Sequence, residues 1–342
     1  MSRDRTGRSP RRPRSLSRFA LSRFALATVT MTVLSSAASG CVVVHGEREV
    51  VPAATRAEAA RALRDFTAAY NKADATYDRS DDADRVAGPL ADIDGARLKA
   101  GRKNNPAGNP AHSALEFGGA EFSIPAKAGW PRWFVANATA NKGVPGSRWL
   151  LVFTRGSAGE LWQASYLTVL GAGDVPKFAK DEGGWAQPVT ADDAALAIEP
   201  GKLGQSYAAY LKAGGDTFAA GVHTSQWRAQ REKFASKPGL ARQYIDQPLI
   251  SGDYAPVGLR TADGGALVFF ATHRYEKETA AAGTGIPSPS ADVQALTTGE
   301  IKQSLTLEFV SNQVVLDPLK GSGGGQVSVL GRIEGLTGAE GE

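Results

Sequence analysis

Residues 55–78 read TRAEAARALRDFTAAYNKADATYD, and the first half of the fold hangs on that stretch. Thr55 followed three residues later by Glu58 is a capping box, in which each side chain satisfies the other residue's backbone N–H at a helix start. Leu63, Phe66, Tyr70, Ala73 and Tyr77 then recur at alternating spacings of three and four, the mark of one apolar helix face. The expectation is a single amphipathic helix from Thr55 to about Asp78. Residues 78–110 are polar and rich in Gly, Asn and Asp, so they read mostly as connection, with a helical turn or two near 83–90.

From Leu115 the pattern shortens to β-type runs at 115–124, 133–140, 149–154 and 161–170, separated by turn residues. In the last of them Trp162, Ala164 and Tyr166 alternate with Gln163 and Ser165, as in a half-buried strand. This is a helix followed by an antiparallel meander. Between Gly183 and Gly204 the chain passes Pro188 and Pro200, which places a domain boundary at 185–202. The plan then repeats. The hexapeptide Ala68–Ala73, AAYNKA, returns as AAYLKA at Ala208–Ala213, with Leu203, Tyr207 and Leu211 on one helix face. A second apolar pattern runs from Phe218 to Phe234. Strand runs follow at 254–260, 266–275, 301–310, 313–316 and 326–333, the first two joined by the hairpin turn Asp263-Gly264. Residues 279–298 read as a mobile loop and 335–342 as a frayed tail.

Working outward to the N-terminus, residues 1–40 hold eight Arg against the single acid Asp4, and Phe24 to Ala38 carry no charge. That is the basic region, apolar region and small-residue cleavage site of an export signal. The uncharged run is shorter than the roughly 20 apolar residues a spanning helix needs. It leads through Ala38-Ser39-Gly40 into Cys41, the one cysteine of the chain. Two readings stand: acylation at Cys41, or an ordinary secretory signal cut near Ala38. Residues 41–54 form a tether that extends at most roughly 45 Å.

The formal charge of +4 belongs to the signal, because its net of seven positive charges leaves the rest of the chain negative by three. Nucleic-acid binding, which needs clustered basic side chains in the folded part, is therefore not expected. One cysteine excludes an intramolecular disulfide and Cys-rich zinc or iron–sulfur sites. Stability must come from packing, and the chain is 42% hydrophobic with six Trp. Five of these, Trp130, Trp133, Trp149, Trp162 and Trp185, fall in or just after the first meander, as core or as the lining of an apolar ligand site.

Candidate chemistry is sparse. His45, His112, His223 and His273 are not spaced as a metal pair. Asp92-Ile93-Asp94-Gly95 begins like a calcium loop and lacks its third ligand and distal Glu. Asp81, Asp82 and Asp84 beside Arg79 and Arg85 read as a mixed-charge surface. Arg97, Lys99, Arg102 and Lys103 form the one basic run of the mature chain, a solvated loop or a contact with anionic headgroups. No catalytic, cofactor-binding or metal residue is assigned, and no cofactor is expected.

Ser39-Gly40-Cys41 behind its apolar run resembles the lipobox of bacterial lipoproteins, with Ala38 where that family usually has Leu. A helix across a bent antiparallel sheet, done twice, resembles the cystatin-like and NTF2-like α+β plan, and the whole chain resembles two-domain actinobacterial lipoproteins of unassigned function. The resemblance implies diacylglyceryl attachment at Cys41 and a lipid-anchored place on the outer face of the cell membrane. The α+β organisation it implies is a signal at 1–40, a tether at 41–54, domains at 55–184 and 203–334 joined by 185–202, and a tail at 335–342. A non-enzymatic module binding an envelope protein is the expected role. The alternative is a small-molecule-binding protein or enzyme with an apolar ligand in an NTF2-like cavity.

Overall fold

The capping box opens the first helix as the sequence requires: in the computed structural model Thr55 Oγ1 accepts from the Glu58 N–H at 3.1 Å and Glu58 Oε2 from the Thr55 N–H at 2.7 Å. The structure describes residues 49–321 and 325–342, so the signal at 1–40, Cys41 and most of the tether lie outside it. Helix α1 spans Arg56–Thr76 and stops at Tyr77, whose φ of 54° is left-handed. A second helix, α2, spans Gly88–Asn104, where the sequence read mostly as connection. Its sequence hides a helix because it has Pro at the start, two internal Gly and no apolar stripe. The buried Gly95, Ala96, Ala100 and Gly101 let it approach its neighbours closely instead. At Gly101 a Cβ would lie 2.4 Å from the Tyr77 ring.

Strands β1 (Phe117–Ser123), β2 (Arg132–Ala140), β3 (Arg148–Arg155) and β4 (Gln163–Leu170) form sheet I, an antiparallel meander in chain order. Helices α3 (Leu203–Ala213) and α4 (Ser225–Phe234) precede β5 (Leu240–Leu249), β6 (Val257–Arg260) and β7 (Ala266–Ala280). A short helix α5 (Ala291–Leu296) leads to β8 (Ser304–Asp317) and β9 (Ser328–Gly341). In sheet II β9 pairs β8 and β8 pairs β7. The far edge of β7 is shared, by β6 along its first residues and by β5 along the rest. The molecule is thus mixed α+β with open sheets.

Alternation along the strands sorts the interior into three layers of side chains. Leu63 and Phe66 of α1 pack on Phe134, Leu151 and Phe153, one face of sheet I. The other face, with Val135, Leu150 and Val152, meets Leu267, Phe269 and Val314 of sheet II. Val268, Phe270 and Val315, the reverse side of sheet II, meet Tyr207, Tyr210 and Leu211 of α3. The order is α1, sheet I, sheet II, α3, with the two sheets back to back in the manner of a sandwich.

That middle layer changes the expected domain organisation. The described residues form one compact unit, and within 185–202 residues 186–189 join its two sheets. Ala186 is buried between them, its N–H donating to Ile124 of the first half at 3.0 Å. Gln187 accepts from the Arg260 N–H at 2.8 Å, and Pro188–Val189 pairs with β6. The tail is corrected too: residues 335–341 continue β9, and the Glu342 N–H donates to Ser304 at 3.0 Å. In the expected loop at 279–298, β7 runs on to Ala280 and α5 occupies Ala291–Leu296.

Tyr166 shows why a face was misassigned. The β3–β4 register shifts between Val152 and Phe153, so that Tyr166 opposes Val152 while Ala164 opposes Phe153. The extra residue, Ser165, is a bulge, and a bulge re-aims every side chain beyond it. Trp162 and Ala164 therefore pack under α1 while Tyr166 faces sheet II.

Candidate functional site

The largest concentration of buried charge lies on the reverse face of sheet II, beneath α4. Trp227 and Arg231 stand four residues apart on α4 and so share one helix face. Arg242, Tyr244 and Asp246 alternate along β5, and Arg274, Glu276 and Glu278 alternate along β7, in a register that pairs Asp246 with Arg274 and Tyr244 with Glu276. Arg332 and Glu334 of β9 complete the set.

Arg231 grips Asp246 with both Nη atoms, at 2.6 and 2.9 Å. Arg274 holds Glu334 through Nη2 at 2.8 Å and Nε at 3.2 Å, and also contacts Glu276. Arg332 reaches Glu334, and Arg242 reaches Glu278 at 2.5 Å. The Trp227 ring has three guanidinium groups around it, Arg332 at 4.4 Å, Arg231 at 4.9 Å and Arg274 at 5.6 Å from its centroid. Arg274 lies over Phe309 at 3.8 Å on its other side. Burial alone would push the Glu334 carboxyl up, but Arg332 and Arg274 outweigh it and hold the group below its ordinary value. Bidentate pairs of this kind fix geometry as well as charge.

From this layer Arg231, Tyr244 and Asp246 border a groove of about 410 Å³. Ala208, Leu211 and Lys212 of α3 form one wall, Arg228, Glu232 and Ala235 of α4 the other, and Tyr244, Ile245 and Asp246 the base. Ile245, between Tyr244 and Asp246, borders the groove with its backbone, and its exposed side chain turns to the other face of β5. Lys212 is exposed and, among the described residues, takes part in no ion pair. A smaller recess of about 190 Å³ opens beside Trp227, Phe234 and Tyr244. Such a groove offers a partner the Tyr244 ring and the aliphatic Ala208, Leu211 and Ala235 beside the unpaired Lys212.

The residues singled out in the sequence go elsewhere. His112 Nδ1 lies 2.7 Å from Asp74 Oδ2, and His273 Nε2 lies 3.3 Å from Glu308. Burial and the nearby Arg332 push the His223 imidazole down. Asp92 accepts from the Tyr254 hydroxyl at 2.6 Å, while Asp94 pairs with Arg97 at 2.8 Å, so the two do not converge on a calcium. The basic run lies on α2 and not on a loop: Arg97 also binds Asp74 at 2.6 Å, and Arg102 donates to the Thr76 carbonyl at 3.0 Å. Asp82 is the exception to the expected mixed-charge surface. It is fully buried, neither of its oxygens accepts from a donor, and its carboxyl meets that of Asp94. Burial, then Asp94, raise it to about 8, so it holds a proton at neutral pH. Among the described residues no cluster of His, Cys, Asp or Glu is suited to a metal, and no helix is long and apolar enough to cross a membrane.

The site was not legible, because the charges of the groove and of the layer beside it come from five elements spread between residues 212 and 334. The available signal was local: Trp227 and Arg231 at helical spacing, and alternating charges at 274, 276 and 278.

Residues 50–341 match the model of a domain of unknown function, DUF8094, and the chain belongs to that family. It is 62% identical over 342 residues to an uncharacterised lipoprotein of Streptomyces avermitilis, covering the whole of both chains. An uncharacterised lipoprotein of Streptomyces coelicolor is 60% identical over 335 residues, 98% of this chain and 99% of that one. A second S. coelicolor protein of the same description is 28% identical over 201 residues, 56% of each chain. No solved structure matches the chain.

Proposed function

We propose that the protein is acylated at Cys41, sits on the outer face of the cell membrane, and acts as a non-enzymatic binding or scaffolding module through the groove between α3, α4 and β5. The observation that carries the binding role is the groove's construction, in which the neutralised Arg231–Asp246 pair and the half-buried Tyr244 lie beside the exposed, unpaired Lys212. The lipoprotein names of the Streptomyces relatives support the anchor. Partners fitting such a groove are other envelope proteins, docked by an apolar segment flanked by acid.

The cystatin-like and NTF2-like comparison is supported in each half by one helix laid across one sheet face. The enzyme alternative needs an open cone under such a helix. Here Phe66, Phe134 and Phe153 fill the space under α1, and Tyr207, Phe218 and Phe270 fill it under α3. That leaves a small apolar ligand without support in either place.

Two experiments test the proposal separately. Mass spectrometry of the mature N-terminus should find a lipidated Cys41, and Cys41→Ala should leave the membrane fraction; unchanged retention ends the anchor reading. Crosslinking of envelopes through a photoreactive group at Ala208, on the α3 wall, should give discrete adducts that Lys212→Glu abolishes. Adducts indifferent to Lys212 would reject the groove.

A further inference from the structure

The described chain begins at one end of sheet I, where Val51–Pro52 pairs with Ala126–Lys127 and the Ala53 N–H donates to Pro125 at 2.9 Å. Ten Cα-to-Cα steps lead from Cys41 to Val51. They extend at most roughly 36 Å, so an acyl anchor at Cys41 keeps this end near the bilayer.

The same end gathers cations that the protein does not neutralise. Arg132 and Arg155 stack on Trp130, at 4.7 and 5.2 Å from its ring. Neither Nε atom has a hydrogen-bond partner. A cleft of about 420 Å³ runs past both of them to Arg56 and Trp185. It continues into one of about 400 Å³ that reaches Lys180, and from there into one of about 590 Å³ with Lys177. None of Arg56, Arg132, Arg155, Lys177 and Lys180 forms an ion pair among the described residues. The acids nearby are fewer: Glu121 lines the same clefts, Glu58 is committed to the Thr55 N–H, and Asp181 accepts from the Trp185 N–H. Elsewhere the pattern is the reverse, with Arg231, Arg242, Arg274 and Arg332 all paired.

We propose that this cationic, tryptophan-lined end is a docking surface for anionic phospholipid headgroups, so that the anchored molecule stands on the membrane in a fixed orientation. The proposal takes the anchor from the reading above for its geometry, and the surface itself is independent of acylation. Lys and Arg supply the attraction to anionic lipid, and Trp is the side chain best suited to the headgroup level. The mature chain is net negative, so an attraction to anionic lipid requires this local concentration of charge.

The test uses the unlipidated chain from Val42 onward, which contains the whole compact unit. It should sediment with phosphatidylcholine vesicles containing phosphatidylglycerol, less with phosphatidylcholine alone, and less in high salt. The pair Lys177→Glu with Lys180→Glu should weaken binding at least about tenfold. Lys99→Glu with Arg102→Glu makes the same change of charge on α2 and should weaken it far less. Equal losses in the two pairs, or no preference for phosphatidylglycerol, would overturn the proposal. An unmodified Cys41 thiol in mass spectrometry of the mature protein would end the anchor reading and leave this result standing.

Discussion

The Tyr166 hydroxyl donates to the Tyr254 carbonyl at 2.8 Å, tying the last strand of sheet I to the turn before β6. It also reaches the Ala255 carbonyl at 3.1 Å, and its ring lies 6.0 Å from that of Phe269. Burial holds the hydroxyl far above the usual tyrosine range, so it stays a donor at any working pH. Tyr166→Phe leaves two part-buried carbonyls short of a donor and should cost about 1–2 kcal/mol. Because the bond crosses the middle layer, denaturant unfolding followed by tryptophan fluorescence and by far-ultraviolet dichroism should give one coincident transition. Two resolved transitions would mean that the halves fold independently.

Gly88 opens α2 with a φ of 52°, and a Cβ there would lie 2.3 Å from the Asp253 carbonyl oxygen. Gly88→Ala combines a left-handed backbone, about 1–2 kcal/mol for an L side chain, with a collision against main chain that cannot rotate away. A loss of at least about 2 kcal/mol in urea titration is expected. An unchanged midpoint would show that the contact gives way freely.

Asp82 and Asp317 make stability fall as pH rises. Burial, followed for Asp82 by the facing Asp94, raises their folded values to about 8 and about 7. Their protonated forms belong to the folded state, so the stability they give is full below about pH 4, where unfolded aspartates also hold their protons. It drains away between about pH 4 and 8. Asp74 and Glu334 act oppositely. Burial pushes each up, but His112 and Arg97 for Asp74, and Arg332 and Arg274 for Glu334, hold them low, so their contribution is lost in acid. Thermal melts of Asp82→Asn should show a shallower decline from pH 5 to 8 than the parent. A profile parallel to the parent's would remove Asp82 from the account.

Arg231→Ala leaves the Asp246 carboxylate, 6% exposed, without its bidentate partner and should cost about 3–5 kcal/mol. Replacing both residues with apolar ones of similar volume, Arg231→Met with Asp246→Leu, should recover most of that loss. If the double variant is as unstable as the single one, the pair does more than neutralise itself beneath α4.

The helix stripes, the first meander and the Asp263-Gly264 turn were readable because one period dominates each. What escaped had mixed or interrupted periods. Tyr210 lies beneath α3 as its stripe demands, with Phe218 at 5.3 Å, whereas Tyr70 is only half-buried, with Phe66 at 5.9 Å and Arg97 over its face at 5.5 Å. Tyr166 and Phe269 lie under neither helix but face the opposite sheet, the first because of the bulge at Ser165 and the second because Phe270, its neighbour, is on α3's side. Tyr210→Ala should therefore cost about 3–5 kcal/mol and Tyr70→Ala clearly less. Strand β5 went unread because Arg242, Tyr244 and Asp246 alternate as a polar face, whose partners lie far along the chain. Sequence alone carries no sign of two sheets packing back to back, since apolar residues on both faces of a strand serve equally for a helix or a second sheet.

Strand β9, the last in the chain, pairs with β8 along almost its whole length, and Glu342 closes the ladder through Ser304 and Lys277. Sheet II is therefore incomplete until residues 328–342 are in place, however much of the rest has folded. A variant lacking that strand would leave the β8 edge open to pairing with whatever chain lies nearest.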